Sequence, residues 1–467
     1  MKFRFVEAQR FEWSFTLRMP FRFGVITVRD GIQAVVRARI RDEVGRDGWG
    51  MTAETLAAKW FDKDAGLSDA DNQHQLRRAL EIAQAQSLAA GLNTAFGHYA
   101  DGYAAHVAAC AAEGLNPLVA SFGRALWDRA AFDALLRMQG LSFDAGLRAN
   151  LGGMAPHAVI PDLAGFDFAA MLAATPAPGR IHARHTVGLV DAITAADQEE
   201  RVGDGLPETL EEVAATYRHT YWKLKVGGDV RADVERLCSI ASVLDGLPGY
   251  HATLDGNEQY EDAKGALALW HAMQAEPRLR RLCASILFIE QPVKRARALE
   301  TGMSALAAAR PVIIDESDGA LDAFVVAKGL GYGGVSTKAC KGIWRSLINL
   351  ARCREWGDGH FMSAEDLTTL AGICVQQDLA LVSAMGLTHV ERNGHHFIDG
   401  FAGRPKAEAV RFMDAHPDLY ADTPHGPRLK IRQGMLDIAS LAVPGFGSAE
   451  MPDVTAMRAM EKAAWPR

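Results

Sequence analysis

The chain has 467 residues, enough for a large core and about two to three domains. Its 49% hydrophobic and 23% charged content is ordinary for a soluble globular protein, and a net charge of −7 gives no support for nucleic-acid binding. The six cysteines form no CxxC pair, so neither a zinc ribbon nor a disulfide framework is suggested, and no run of roughly 18 apolar residues is present that would cross a membrane.

Residues 1 to about 50 read as strands. The start, Met1-Lys2-Phe3-Arg4-Phe5-Val6-Glu7, alternates charged and apolar residues like an edge strand and lacks the apolar core of a signal peptide. With thiols expected to stay reduced, a cytoplasmic location is the expectation. The stretch 34–40 alternates in period two, and the glycines from Gly45 to Gly50 close the run. From about 54 to 140 the chain is alanine-rich and helical, with an amphipathic helix over 119–139 that sets Phe122, Leu126, Ala130, Phe132 and Leu135 or Leu136 on one side. Residues 1–150 are therefore predicted to form an α+β unit. The Ala-, Pro- and Gly-rich stretch 150–180 reads as a connection or an insertion.

Beyond about 180 short apolar runs alternate with helical ones. Strands are predicted near 181–187, 221–226, 251–255, 285–290, 311–315, 333–338, 359–363 and 387–391, with helices between them, such as 230–244, 321–329 and 343–356. Eight such units fit an α/β fold of the (β/α)8-barrel type, assigned to 151–403. The segment 404–467 is assigned to the first unit, as a return onto the cap.

Three of the strands close on an acid: Asp255 in Leu254-Asp255-Gly256-Asn257, Glu290 in Ile289-Glu290-Gln291-Pro292, and Asp315 in Ile314-Asp315-Glu316-Ser317. Three carboxylates at neighbouring strand ends need positive charge to coexist, and an all-oxygen set suits Mg2+. Asp315 and Glu316 compete for the third place, because strand alternation turns only one of them inward; Asp315 is preferred. Upstream, Lys223 and Lys225 share one face of a strand, and downstream Lys338 closes another. Two inward lysines depress each other's pKa, and a lysine so tuned can act as a base near neutral pH. Such a base beside a metal-held carboxylate suits removal of an α-proton, with the metal holding the charge that develops.

The segment from about 180 to 400 resembles the enolase superfamily, and within it the muconate lactonizing enzyme-like subgroup of the mandelate racemase/muconate lactonizing enzyme family. The resemblance rests on Lys-x-Lys at 223–225, Asp-Gly-Asn at 255–257, Glu-Gln-Pro at 290–292, Asp-Glu-Ser at 315–317 and Lys338. Flanking segments extend it to most of the chain: Pro-Phe-Arg-Phe-Gly at 20–24 resembles the family's substrate-closing loop, Ala-Leu-Trp-Asp at 125–128 the helix before the barrel, and Val-Pro-Gly-Phe-Gly at 443–447 the closing motif. It implies Mg2+ on Asp255, Glu290 and Asp315, an acid/base pair of Lys225 and Lys338, and Lys223 supporting Lys225. Asn257 and Arg22 are the expected substrate contacts, the partner being a small carboxylate. A homo-oligomer is also implied, with no nucleic-acid or membrane partner.

The sequence departs from the family in places. Met51 stands where the family's cap has an acid, and the stretch between Asp255 and Glu290 is long enough to carry an insertion in the third helix. The Asp-x-Asp that dipeptide epimerases carry on the eighth strand is absent from Thr388-His389-Val390-Glu391-Arg392-Asn393. Lys338 occupies the place of the mandelate racemase subgroup's histidine–aspartate pair, although His360 lies near strand seven. Glu365 and Asp366 read as caps of the next helix or as pocket residues. The adjacent His395 and His396 read either as a loop or as one substrate contact, and cannot readily bind one metal together from one strand face.

Two opposed lysines favour racemisation or epimerisation. Cycloisomerisation or syn-dehydration uses the same five residues, and a non-catalytic acid-binding barrel is the remaining reading.

Overall fold

Period-two alternation at the start of the chain produces a long hairpin. In the computed structural model, which describes residues 1–24, 26–198 and 200–466, β1 (Phe3–Phe23) pairs antiparallel with β2 (Ile26–Asp42), and β2 with β3 (Asp47–Thr55). A register shift between Thr16 and Phe21 brackets Pro20, which has no N–H for a ladder bond. A short strand, Arg458–Ala459, joins the other edge of β1.

Three helices cover this sheet. α1 (Asp69–Ala89) starts at a capping box of Ser68 and Asp71. α2 (Ala95–Ala112) starts at Thr94. α3 (Pro117–Gln139) starts at Asn116 with Pro117 in its first turn and ends on left-handed Gly140, φ 64°. α3 is not one-sided as its periodicity suggests: every residue from Leu118 to Leu136 is buried. Its polar residues find internal partners; Arg129 Nη1, for example, donates to Glu54 at 3.0 Å. That pair supplies a buried carboxylate three residues past Met51. α3 also runs so close to β3 that a Cβ on Gly50 would lie 2.2 Å from the Ala130 carbonyl oxygen.

The barrel follows: β4 (Arg180–Val187), β5 (Tyr221–Lys225), β6 (His251–Asp255), β7 (Ile286–Glu290), β8 (Val312–Ile314), β9 (Gly334–Thr337), β10 (Phe361–Ala364) and β11 (His389–Arg392). All pair in parallel in chain order, and β11 closes the ring against β4 with Arg392 opposite His185. Each strand lies within two residues of its predicted place. The long stretch after β6 forms two helices, Ala263–Ala275 and Arg280–Ser285, separated by the 3-10 turn Pro277–Leu279. Past β11 the chain pairs Met435–Asp437 with β4, then stacks Phe446 on Phe143 with ring centres 3.8 Å apart. The backbone N–H of Phe446 donates to Asp133 of α3 at 2.7 Å. The six cysteines are buried and unpaired, and among the described residues no helix is long and apolar enough to cross a membrane.

Candidate active site

Strand alternation points Lys223 and Lys225 into the barrel, while Trp222 packs outward against His185 and His219. Asp255 ends β6, Glu290 ends β7, Asp315 follows β8 and Lys338 follows β9. β5 and β9 stand four places apart in a ring of eight, so Lys225 and Lys338 come from opposite walls. The three acids occupy the arc between them.

Every one of these groups is paired. Lys223 Nζ lies 2.9 Å from Asp255, 2.8 Å from Glu290, 2.8 Å from Glu365 and 2.9 Å from Glu391. Lys225 donates to Asp255 Oδ2 at 2.5 Å, and Lys338 to Asp315 Oδ2 at 2.6 Å. Lys341 lies 3.0 Å from Asp315 Oδ1 and donates to Ser336 Oγ at 2.7 Å. Lys338 Nζ also sits 4.2 Å above the Trp60 ring.

This pairing reverses the expected electrostatics of Lys223. Burial would lower its pKa, but Asp255, Glu290, Glu365 and Glu391 outweigh burial and hold it well above its ordinary value. Lys338 is likewise raised, with Asp315 overcoming burial. Burial opposes ionisation of Asp315 too, yet Lys338 and Lys341 hold it well below the usual carboxylate range. Glu290 goes the other way: burial, then Asp255 and Glu365, push it well above its ordinary value.

Over this floor lies a cavity of about 260 Å3. Its walls include Phe15, Leu17, Phe21 and Phe23 of β1, with Trp60 and Leu367, and Arg29 and Asp30 of β2 also border it. Lys223, Lys225, Asp255, Asn257 and Lys338 line its floor.

Asn257 borders the cavity, with its backbone N–H donating to Asp255 Oδ1 at 2.8 Å and its Nδ2 to Glu316 at 3.2 Å. Arg22 is not brought to the site. Alternation along β1 puts Phe21 and Phe23 on the cavity, while Arg22 turns away and bonds the Gly24 carbonyl at 3.4 Å. Arg22→Ala is expected to change kcat/KM less than about threefold, the range of a surface substitution; steady-state kinetics would check it. Glu316 faces Asn257 and Lys63, whereas Asp315 meets Lys338.

Glu365 and Asp366 do not cap the next helix, Ile373–Ala384, which has no side-chain cap. Glu365 binds Lys223 and Arg184 inside the barrel, and Asp366 lines the cavity. His360 precedes β10 and so lies at the far end of the barrel. Glu365 thus takes the second of its two readings, and two charged residues beside the site, Glu391 and Lys341, escaped the motif reading. Glu391 carried a usable signal, since it shares the inward phase of the last strand with His389.

Asp255, Glu290 and Asp315 offer an all-oxygen donor set on adjacent strands, each 1% exposed or less. Glu290 Oε2 makes no well-aligned hydrogen bond, although Lys223 Nζ is 2.8 Å from it. A buried, under-bonded oxygen among three carboxylates fits a hard divalent cation such as Mg2+.

Comparison with known proteins agrees with this fold. A family model described as "Enolase C-terminal domain-like" matches residues 205–449. No curated protein matches the sequence. Among solved structures, the chain is similar to a dipeptide epimerase from Enterococcus faecalis complexed with Mg and the dipeptide L-Leu-L-Tyr, at 17% identity and TM-score 0.61, covering 96% of this chain and 100% of that one. It is also similar to 2-chloromuconate cycloisomerase from Rhodococcus opacus, at 16% identity and TM-score 0.59, covering 97% of each. The L-Ala-D/L-Glu epimerase from Bacillus subtilis has 17% identity and TM-score 0.56, covering 96% and 99%.

Proposed function

This chain belongs to the enolase C-terminal domain-like family and is an enolase-superfamily enzyme, and from that premise we propose that it removes the proton α to a carboxylate and returns it, racemising or epimerising a small carboxylic acid. The observation that carries the reading is the placement of Lys225 and Lys338 on opposite walls of one ring, with three carboxylates between them.

Asp255, Glu290 and Asp315 would hold Mg2+. When bound, it would supply positive charge to the substrate carboxylate and engage the carboxylates that otherwise pair with Lys225 and Lys338. Lys338, released from Asp315, would be governed by burial, which lowers a lysine's pKa toward the range a base needs. Lys225 and Lys338 would then serve opposite faces of the α-carbon, one taking the proton and the other giving it back. Lys223 keeps its remaining carboxylates and holds Lys225 in place as a neighbour on the same strand face. Asn257 stands at the rim of the floor to orient substrate. The wall of Phe15, Leu17, Phe21, Phe23 and Trp60 suits an acid with an apolar substituent.

The test is exchange in D2O with Mg2+ over a panel of carboxylic acids, followed by NMR. Deuterium entering the α-position of recovered substrate, with inversion of configuration, is the expected result. Product formed without such exchange would overturn racemisation in favour of cycloisomerase or syn-dehydratase chemistry on the same residues. Ligand affinity with no proton exchange and no product would favour an acid-binding barrel.

A further inference from the structure

Three histidines from distant parts of the chain converge outside the barrel wall. Arg184 points inward to Glu365, so its neighbour His185 on β4 points out. His219 lies two residues ahead of β5, and His395 lies in the short helix Gly394–Phe397 after β11. One ring nitrogen from each lies within 4.8 Å of the other two. His185 and His219 are 2% and 1% exposed.

Four of the six ring nitrogens in this cluster lack a partner among the described residues. His219 Nδ1 lies 2.9 Å from the Ala183 carbonyl oxygen, which can only accept, so the ring hydrogen is on Nδ1 and the lone pair on Nε2. Among the described residues, His219 Nε2, His185 Nδ1 and both nitrogens of His395 have no hydrogen bond. Leaving a buried polar atom unpaired costs about 1–3 kcal/mol, so four in one cluster call for an explanation. Protonation does not supply one. Burial pushes His219 down to about 4 against its bond to Ala183, and burial with the neighbouring imidazoles holds His185 and His395 well below their ordinary value. The nearby Arg18 guanidinium is held by Asp204 at 2.6 and 2.8 Å.

We propose that His185, His219 and His395 form a structural site for Zn2+, separate from the carboxylate floor. Neutral imidazoles are the form that binds metal, and nitrogen donors suit Zn2+ and not Mg2+. The bond from His219 to the Ala183 carbonyl is the outer-shell contact that fixes a ligating histidine's tautomer. A cavity of about 30 Å3 borders His395, beside Tyr217 and Arg428, with room for a water. The site would clamp β4, the approach to β5 and the exit from β11, where the first and last barrel strands meet.

The test is metal analysis of the full chain dialysed against Zn2+ in excess Mg2+, with Co2+ as a spectroscopic stand-in. Expected are one tightly held Zn2+ per chain, a thermal midpoint that rises with Zn2+, and the intense visible bands of four-coordinate nitrogen-ligated Co2+. His219→Ala and His395→Gln should each weaken Zn2+ binding at least about 100-fold, while Asp255→Asn should leave it unchanged. His395 is the more exposed ligand, so His395→Gln decides the matter if His219→Ala does not fold. Absence of bound Zn2+ in the unmodified chain, or Zn2+ that survives His395→Gln but is lost in Asp255→Asn, would overturn the proposal.

Discussion

Lys338→Ala is expected to lower racemisation or epimerisation by about 10^3-fold or more, within the range that one general acid–base group supplies. The same loss is expected of Lys225→Ala, but with a different signature. The two ammonium groups come from β5 and β9, on opposite sides of the ring. Each should therefore serve one face of the α-carbon. Lys338→Ala should stop α-deuterium exchange from one stereoisomer and spare the other, and Lys225→Ala should do the converse. The fold should survive the Lys338 change, because Asp315 keeps Lys341 at 3.0 Å and a bond from Ser336. NMR of each pure stereoisomer in D2O checks the pattern. If both variants lost exchange from both stereoisomers equally, the two-base assignment would fail.

The second large effect is on stability. Lys223→Met removes the one cation shared by Asp255, Glu290, Glu365 and Glu391. Breaking a buried ion pair by removing one partner costs about 3–5 kcal/mol, because the remaining charge has neither water nor counter-charge. Here Glu290 and Glu391 lose their lysine, while Asp255 keeps Lys225 and Glu365 keeps Arg184. Denaturant unfolding without Mg2+ should show a loss of that order at neutral pH. Added Mg2+ should restore part of it, since a ligand that binds only the folded state stabilises it. A loss under about 1 kcal/mol would mean that the four carboxylates share protons instead of depending on Lys223.

Much of this was legible because buried parallel strands appear as short apolar runs, and a charged residue at the end of such a run is conspicuous. Asp255, Glu290, Asp315, Lys225 and Lys338 all stood out in that way. Glu365 was left open between a helix cap and the pocket, and Glu391 was passed over although its strand phase turns it inward, where it meets Lys223. Arg22 was read from its segment alone, and strand phase assigned the cavity to Phe21 and Phe23 instead. Full burial of α3 was hidden by Arg124, Asp128, Arg129 and Asp133, whose polarity resembles a solvent face until partners such as Glu54 are seen. The histidine trio was least legible. His395 was weighed with its neighbour His396, whereas it gathers with His185 of β4 and His219 ahead of β5, both far away in the chain.

The long β1–β2 ribbon separates two kinds of selection. Its base is fixed in the cap sheet, while its far half, past the register shift at Thr16–Phe21, roofs the floor of lysines and acids. Under the proposed reaction, residues on that half, such as Phe21, Phe23 and Val28, would meet the substrate's variable part and take no part in moving protons. Drift along the ribbon can therefore retune which acid is accepted while the reaction is inherited unchanged. Grafting residues 15–31 from a relative should carry substrate preference with it, as a tool head is exchanged on a fixed handle.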